Sequence, residues 1–331
     1  MKHARLDIAR SAELLPVLNG PVGVFGQIGL ERLQSLMDWD LRCVSSSFAV
    51  NKTLSSAGLK VGQMLEAEID HAIVFVPRAK AEAHDLIAAA VQACPNGWIV
   101  IDGQKTDGIE SIAKQIARDV ADVGSYSKGH GKTIWFRSAD ARHLVEWRAQ
   151  ASENKSGFVT APGVFSADDV DPASEMLVEH IPSSLSGQIA DLGAGWGFLS
   201  HGLFEKCAGI TKLHLIEDNA VALKCARDNI IDDRAQFCWA DALNWMPSKP
   251  LDCVVMNPPF HTTRSAEPTL GIGFIQAAAR VLKPGGRLFM VANSHLPYEP
   301  TLAKSFEKYE LLARSSRFKV YCATRGRGKL I

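Results

Sequence analysis

Net charge gives no hint of a partner: 36 Lys plus Arg stand against 36 Asp plus Glu in 331 residues. A polyanion site has to come from local arrangement. The seven cysteines include no CxxC pair and no Cys/His cluster at zinc-ligand spacing, so no metal site is expected and the thiols read as reduced core residues. No stretch is apolar for long enough to span a bilayer, and the opening MKHARLDIARSAELL mixes charge signs without the apolar run of a signal peptide. A soluble cytoplasmic monomer with no membrane partner is therefore expected. Also missing are a Ser/His/Asp or Cys/His nucleophile set and a paired-carboxylate motif.

What is present supports two cores, since 331 residues at 47% hydrophobic exceed one ordinary small domain. Residues 147–162, containing RAQASENKSG, are polar and turn-rich and read as a linker between domains at 1–150 and 160–331. Before it, short β-branched runs at 22–25, 72–76 and 98–101 alternate with helical stretches at 30–37, 80–93 and 109–120. After it the alternation is clearer, with strands expected at 188–192, 213–216, 236–239, 253–256 and 287–291. Asp171-Pro172 opens one helix as a capping acid and a first-turn proline. Lys283-Pro284-Gly285-Gly286 is expected to break the last crossover helix before a buried strand. Both halves close on two strands joined by a small polar turn, at 126–136 and 312–321, which hints at a duplicated α/β domain with a parallel sheet and covering helices.

The strongest local signal is the apolar strand running into Asp191-Leu192-Gly193-Ala194-Gly195-Trp196-Gly197 and then a helix. Such a turn lets backbone approach a ligand at the C-terminal edge of a parallel sheet. A dinucleotide fingerprint wants G-x-G-x-x-G, and Phe198 stands where the third glycine belongs, so the spacing favours S-adenosyl-L-methionine over a nicotinamide oxidoreductase. Glu217 ends the next strand, where an acid accepts from ribose hydroxyls. Asp218 beside it either joins the cofactor site or caps the next helix. Asp241 and Ala242 follow the third strand, placed for the adenine amino group and a ring nitrogen.

At the end of the fourth expected strand stands Asn257-Pro258-Pro259-Phe260. In isolation it would be a plain turn. Its position on the cofactor edge points instead to an exocyclic amine, a poor nucleophile whose lone pair is delocalised into its ring. The Asn257 side-chain oxygen and the Pro258 carbonyl can hold the two N–H groups so that the lone pair turns toward a methyl donor, in a loop stiffened by consecutive prolines. Phe260 is placed to stack on a flipped base, and His261 either contacts substrate or is simply exposed.

With these motifs the chain resembles the ribosomal small-subunit RNA guanine-N2 methyltransferases, whose close relatives act on the large subunit. The resemblance rests on Pro162-Gly163-Val164-Phe165-Ser166, residues 191–197 and 257–261, Val291-Ala292-Asn293, Leu296-Pro297-Tyr298 and residues 317–321. It implies two tandem Rossmann-like methyltransferase domains, the first degenerate and serving structure and RNA recognition. Val22-Gly23-Val24-Phe25-Gly26-Gln27-Ile28-Gly29 stands there as a degenerate glycine loop, and Val74-Phe75-Val76-Pro77-Arg78 offers no Asn-Pro-Pro. It further implies cofactor contacts for Asp191, Gly193, Gly195, Glu217 and Asp241, catalysis by Asn257, and a segment at 162–166 lying over the site with Phe165 near the cofactor.

The implied partner is ribosomal RNA, in the small subunit above all. From residue 314 onward there are six basic residues, Arg317 and Lys319 among them, and no acid, against 13 basic and 19 acidic at 151–313. Such a tail can track phosphates, or it is a frayed terminus. Arg78, Lys80, Lys128, Lys132 and Arg137 are candidates for a second patch. The alternatives left open are a large-subunit guanine-N2, adenine N6 or glutamine-amide methyltransferase and a non-catalytic RNA-binding assembly factor.

Overall fold

The computed structural model describes residues 4–26, 28–259 and 268–327. They form two compact units, Met1–Gln150 and Ala151–Ile331.

The first unit begins with α1 (Ala4–Ser11), then β1 (Val22–Gly26), α2 (Leu30–Leu33), β2 (Leu41–Val44), α3 (Phe48–Ser56), β3 (Lys60–Gly62) and β4 (His71–Phe75). It continues through α4 (Lys80–Ala93), β5 (Trp98–Gln104), α5 (Ile109–Asp119), β6 (Gly124–Lys128) and β7 (Gly131–Arg137). Its seven-stranded sheet has the order β3-β2-β1-β4-β5-β7-β6. Pairing is parallel except at β7, which runs antiparallel to β5 and β6.

The second unit starts with a small antiparallel hairpin, β8 (Ser152–Glu153) and β9 (Val159–Thr160). The main elements are α6 (Pro172–His180), β10 (Ser186–Leu192), α7 (Phe198–Lys206), β11 (Gly209–Glu217), α8 (Ala220–Asn229), β12 (Ala235–Trp239) and β13 (Leu251–Met256). Then come α9 (Pro268–Val281), β14 (Leu282–Asn293), α10 (Glu299–Ser305), β15 (Lys308–Arg314) and β16 (Phe318–Thr324). The order β12-β11-β10-β13-β14-β16-β15 repeats that of the first unit, antiparallel strand included. The duplication suggested by the two closing hairpins is thus carried through the whole sheet.

Because successive strand residues face opposite sides, each sheet builds two cores. Ile189, Leu213, Leu215, Cys253 and Val255 pack with α6, α7 and α8 on one face. Ala190, Leu192, Ile216, Val254 and Met256 pack with α9 and α10 on the other. Strands buried on both faces read as apolar runs, which made residues 253–256 of β13 legible, whereas in β10 the run is interrupted by the buried Asp191. The described cysteines are free, and all but half-buried Cys238 are buried.

Two local expectations need correcting. The stretch read as a linker does hold the break between the units, at Gln150/Ala151, but it is not a free linker throughout, because the β8–β9 hairpin within it belongs to the second unit. It is fixed there by Asn229, which accepts from the Val159 amide at 2.7 Å and donates to the Val159 carbonyl at 2.8 Å. Residues 283–286 do not separate helix from strand but form a bulge inside β14, since Leu251 pairs with Leu282 and Cys253 already with Arg287. The bulge is held by an ion pair between Lys283 and Asp252.

The two sheets differ at one edge. With the last residues of β4 and β13, Phe75 and Met256, taken as equivalent, the registers put Phe25 in the place of Asp191 and Ser46 in that of Glu217. Val76-Pro77 then replaces Asn257-Pro258. A buried phenyl ring for the acid and an apolar residue for the amide leave the first unit without that set of polar groups.

Candidate active site

The C-terminal ends of β10 and β13, neighbours in the sheet, bring a glycine loop and an amide to one pocket. Gly193, Ala194, Gly195, Trp196, Phe165 and Asn257 line it, together with Asp171 and Ser174 from the start of α6. The loop turns because Gly193, Gly195 and Gly197 take positive φ of 77°, 57° and 95°. A Cβ at Gly195 would meet nothing within 4 Å, so the loop leaves open space above its backbone. At Gly197 a Cβ would stand 2.8 Å from the Ile230 side chain, which keeps that glycine for helix packing.

Glu217 ties the loop down. Its Oε2 accepts from the Gly195 amide and its Oε1 from the Asn219 amide, both at 2.8 Å. Burial pushes its pKa up, and the two amides oppose that shift. Asp191, wholly buried beneath the loop, accepts from the Ser200 hydroxyl at 2.8 Å, while its Oδ1 has no partner. Burial first, and then the neighbouring Glu217 charge, raise its pKa to about 7 against the Ser200 hydrogen bond.

Asn257 donates through Nδ2 to Asp171 Oδ2 and to Ser174 Oγ, each at 2.9 Å. Pro258 is buried and Pro259 exposed. Phe165 is 58% exposed, and its carbonyl accepts from Trp196 Nε1 at 2.9 Å, which ties its segment to the glycine loop. Asn229 reinforces this by donating to the Trp196 carbonyl at 2.9 Å. Ser166 next to Phe165 holds φ at 52°, an uncommon backbone for a residue with a side chain, so the segment's path is imposed by its packing.

Not every expected residue converges. Asp241 spends its carboxylate on the Leu243 amide at 2.9 Å and the Asn244 side chain at 2.5 Å, and Ala242 is core. Neither lines the pocket. The cap of α8 is Asn219, accepting from the Val221 amide at 2.9 Å, and not Asp218, whose carbonyl accepts from Trp239 Nε1. Arg317 is exposed, stacked 4.9 Å from the Phe318 ring, in a shallow recess with Asn293, Ser294 and His295 at the catalytic edge. Phe260, His261 and Lys329 lie outside the described residues.

Lys319 is committed elsewhere. Its ammonium, 12% exposed, lies 2.6 Å from Glu299, which also accepts from the Tyr321 hydroxyl at 2.5 Å. Burial disfavours the Glu299 charge, yet the hydrogen bonds from Lys319 and Tyr321 outweigh it and hold the carboxyl down at about 2. A depressed folded pKa contributes stability above the ordinary 4.5 that is lost as pH falls through 2. Glu299→Gln is therefore expected to lower the thermal midpoint at pH 7, with the gap to wild type closing between about pH 4.5 and 2. A gap that stays constant with pH would contradict this ion pair.

The second basic patch divides. Arg78 and Lys80 follow the end of β4, and Lys128 and Lys132 flank the turn beyond the end of β5, all at one sheet edge. Arg137 pairs with Trp98 at the start of β5 and so sits at the opposite edge. Lys132 also pairs with Glu110 at 2.7 Å.

Sequence reasoning missed Asp171 and Ser174 as pocket residues. Asp171 was legible only as a helix cap, and nothing local announces a contact with a residue 86 positions away.

Two family models match the chain: the methyltransferase small domain over residues 155–322 and the methyltransferase small domain N-terminal over residues 33–130. A ribosomal RNA small subunit methyltransferase C from Alteromonas mediterranea is 31% identical over 308 residues, covering 86% of this chain and 85% of the relative. One from Hahella chejuensis is 30% identical, covering 78% and 79%. Among solved structures, a T. thermophilus 16S rRNA guanine-N2 methyltransferase in complex with AdoMet and guanosine superposes with a TM-score of 0.79. It is 24% identical, covers 94% of this chain and 89% of that one, and shares the fold.

Proposed function

The chain belongs to the ribosomal RNA small subunit methyltransferase C family, and from that premise we propose that it methylates the exocyclic N2 amine of a guanine in 16S ribosomal RNA. The methyl donor is S-adenosylmethionine, the C-terminal unit carries the chemistry, and the enzyme works as a cytoplasmic monomer on the small subunit. The observation that carries this reading is the convergence of Gly193–Gly195 and Asn257 on one pocket at adjacent strand ends.

The residues present fit this donor, because the bare backbone at Gly193 and Gly195 forms a cradle that any Cβ would start to fill. Bound there, S-adenosylmethionine supplies an electrophilic methyl on a sulfonium. A carboxylate oxygen can accept more than one hydrogen bond, so Glu217 and Asp241, although they already hold donors, can also accept from the ribose and the adenine amino group. Ala194 and Gly195 contact the donor with backbone, Asp191 acts from beneath the loop, and Phe165 covers the pocket mouth.

Asn257 and the Pro258 carbonyl hold the two N–H groups of the guanine amine, and the gain comes from positioning and preorganised acceptors with no strong base required. By their place in the sequence after Pro259, Phe260 is assigned to stack on the flipped guanine and His261 to contact the substrate. Arg317 contacts a neighbouring phosphate. Lys319, neutralised by Glu299, supports that strand and leaves the RNA to Arg317. The first unit, which lacks the polar set at its own edge, serves structure and RNA recognition through the edge bearing Arg78, Lys80 and Lys128.

Transfer of labelled methyl from S-adenosylmethionine to small subunits lacking the modification, followed by nucleoside analysis, tests the assignment. N2-methylguanosine in 16S rRNA is expected. Label in adenosine or in protein, or no label on any assembly state, would overturn it.

A further inference from the structure

We propose that Asp171 is a positioning residue for methyl transfer: it fixes which end of the Asn257 amide faces the pocket. The proposal rests on the role assigned to Asn257 above. A primary amide has two ends of nearly equal size and opposite chemistry, and only the oxygen end can accept a substrate N–H. Asn257 spends its nitrogen on Asp171 Oδ2 and Ser174 Oγ, both at 2.9 Å, which uses its two N–H groups on one side and leaves Oδ1 as an acceptor. Turning the amide over would press its oxygen against a carboxylate. Charge, more than shape, therefore selects the orientation.

The sequence builds this device into a helix start. Asp171 caps α6, accepting from the Ser174 amide at 2.9 Å, and Pro172 sets the first helical position. The Ser174 hydroxyl donates to the same carboxylate oxygen at 3.2 Å, which leaves its own lone pairs for Asn257. The three side chains thus form one consistent chain of donors and acceptors, and all three line the pocket. A charged acceptor on the nitrogen also polarises the amide and increases the negative charge at Oδ1, where the amine's N–H must be held.

A plain helix cap makes a different prediction, and two variants of the full chain separate the two roles. Asp171→Ser keeps a good cap but its oxygen is too short to reach Asn257. Asp171→Asn keeps both reach and acceptor but not the charge. We expect Asp171→Ser to lower kcat roughly 10- to 100-fold with the KM for the small subunit and the S-adenosylmethionine affinity within about twofold. Asp171→Asn, which keeps reach and an acceptor without the charge, should recover only a minor part of that loss. In the cofactor-free protein, the Asn257 side-chain NH2 signals, assigned by their loss in Asn257→Ala, should exchange slowly with solvent in wild type and fast in Asp171→Ser. Wild-type kcat in Asp171→Ser, or rapid exchange of the Asn257 protons in wild type, overturns the proposal even when Asn257→Ala is inactive. An active Asn257→Ala overturns the reading of Asn257 and the positioning role together.

Discussion

Asn257→Ala is expected to lower methyl transfer roughly 100- to 1000-fold, the range seen when one preorganised hydrogen-bonding group is removed from a reacting centre. S-adenosylmethionine affinity should be nearly untouched, because the loop that receives it is held by Glu217 and the strand ends, and not by Asn257. Gly193 and Ala194 both donate to the Ile216 carbonyl, at 2.9 and 3.0 Å, whatever stands at position 257. Folding should also survive. Asn257 is half-buried, and truncation leaves Asp171 still satisfied by the Ser174 amide and hydroxyl. The split between lost turnover and retained binding is what distinguishes a group that acts on the amine from one that shapes the pocket. Single-turnover transfer and calorimetric titration measure the two separately. Activity within about fivefold of wild type would sink the assignment, since no single hydrogen bond of catalytic consequence is worth so little.

The parts of the site readable from sequence are those encoded in contiguous chain. A glycine loop after one strand and an Asn-Pro-Pro after another carry their geometry with them; β13 was legible from its apolar run at 253–256, and β10, interrupted by Asp191, from the glycine loop that follows it. The family motifs fixed their order. What sequence could not supply is pairing at a distance. Lys319 read as a phosphate ligand because its partner Glu299 is 20 residues away on another element. Asp171 read as a cap because its second task, on Asn257, depends on how α6 packs beside β13. Short elements were lost for a different reason: β2 and β3 have four and three residues, too few for period-two alternation to rise above chance. The choice of Asn219 over Asp218 as the α8 cap turned on one residue of strand length, which propensity alone does not settle.

In the cofactor-free chain, Asp191 is expected to make stability fall as pH rises between about 4 and 7. Its folded pKa is raised to about 7 from an ordinary 3.8, so in that window the folded chain keeps a proton that the unfolded chain has released. Stability is greatest below the lower value, declines toward the upper one and is flat beyond it. A difference of about three pH units corresponds to about 4 kcal/mol at most. Asp191→Asn removes this titration, and its thermal midpoint should gain on wild type steadily from pH 4 to 7. On the proposed function, retaining a buried acid with an unpartnered oxygen is a cost borne for binding. On that same function, S-adenosylmethionine bound at the loop would bring its sulfonium charge toward Asp191 and Glu217 and would offset the desolvation that raises both carboxyl groups. Wild type should accordingly gain more thermal stabilisation from saturating S-adenosylmethionine at pH 7 than Asp191→Asn does. A pH-independent difference between the two apo proteins would show that Asp191 titrates as an ordinary carboxylate. Equal stabilisation by ligand would instead confine it to holding Ser200 and the start of α7.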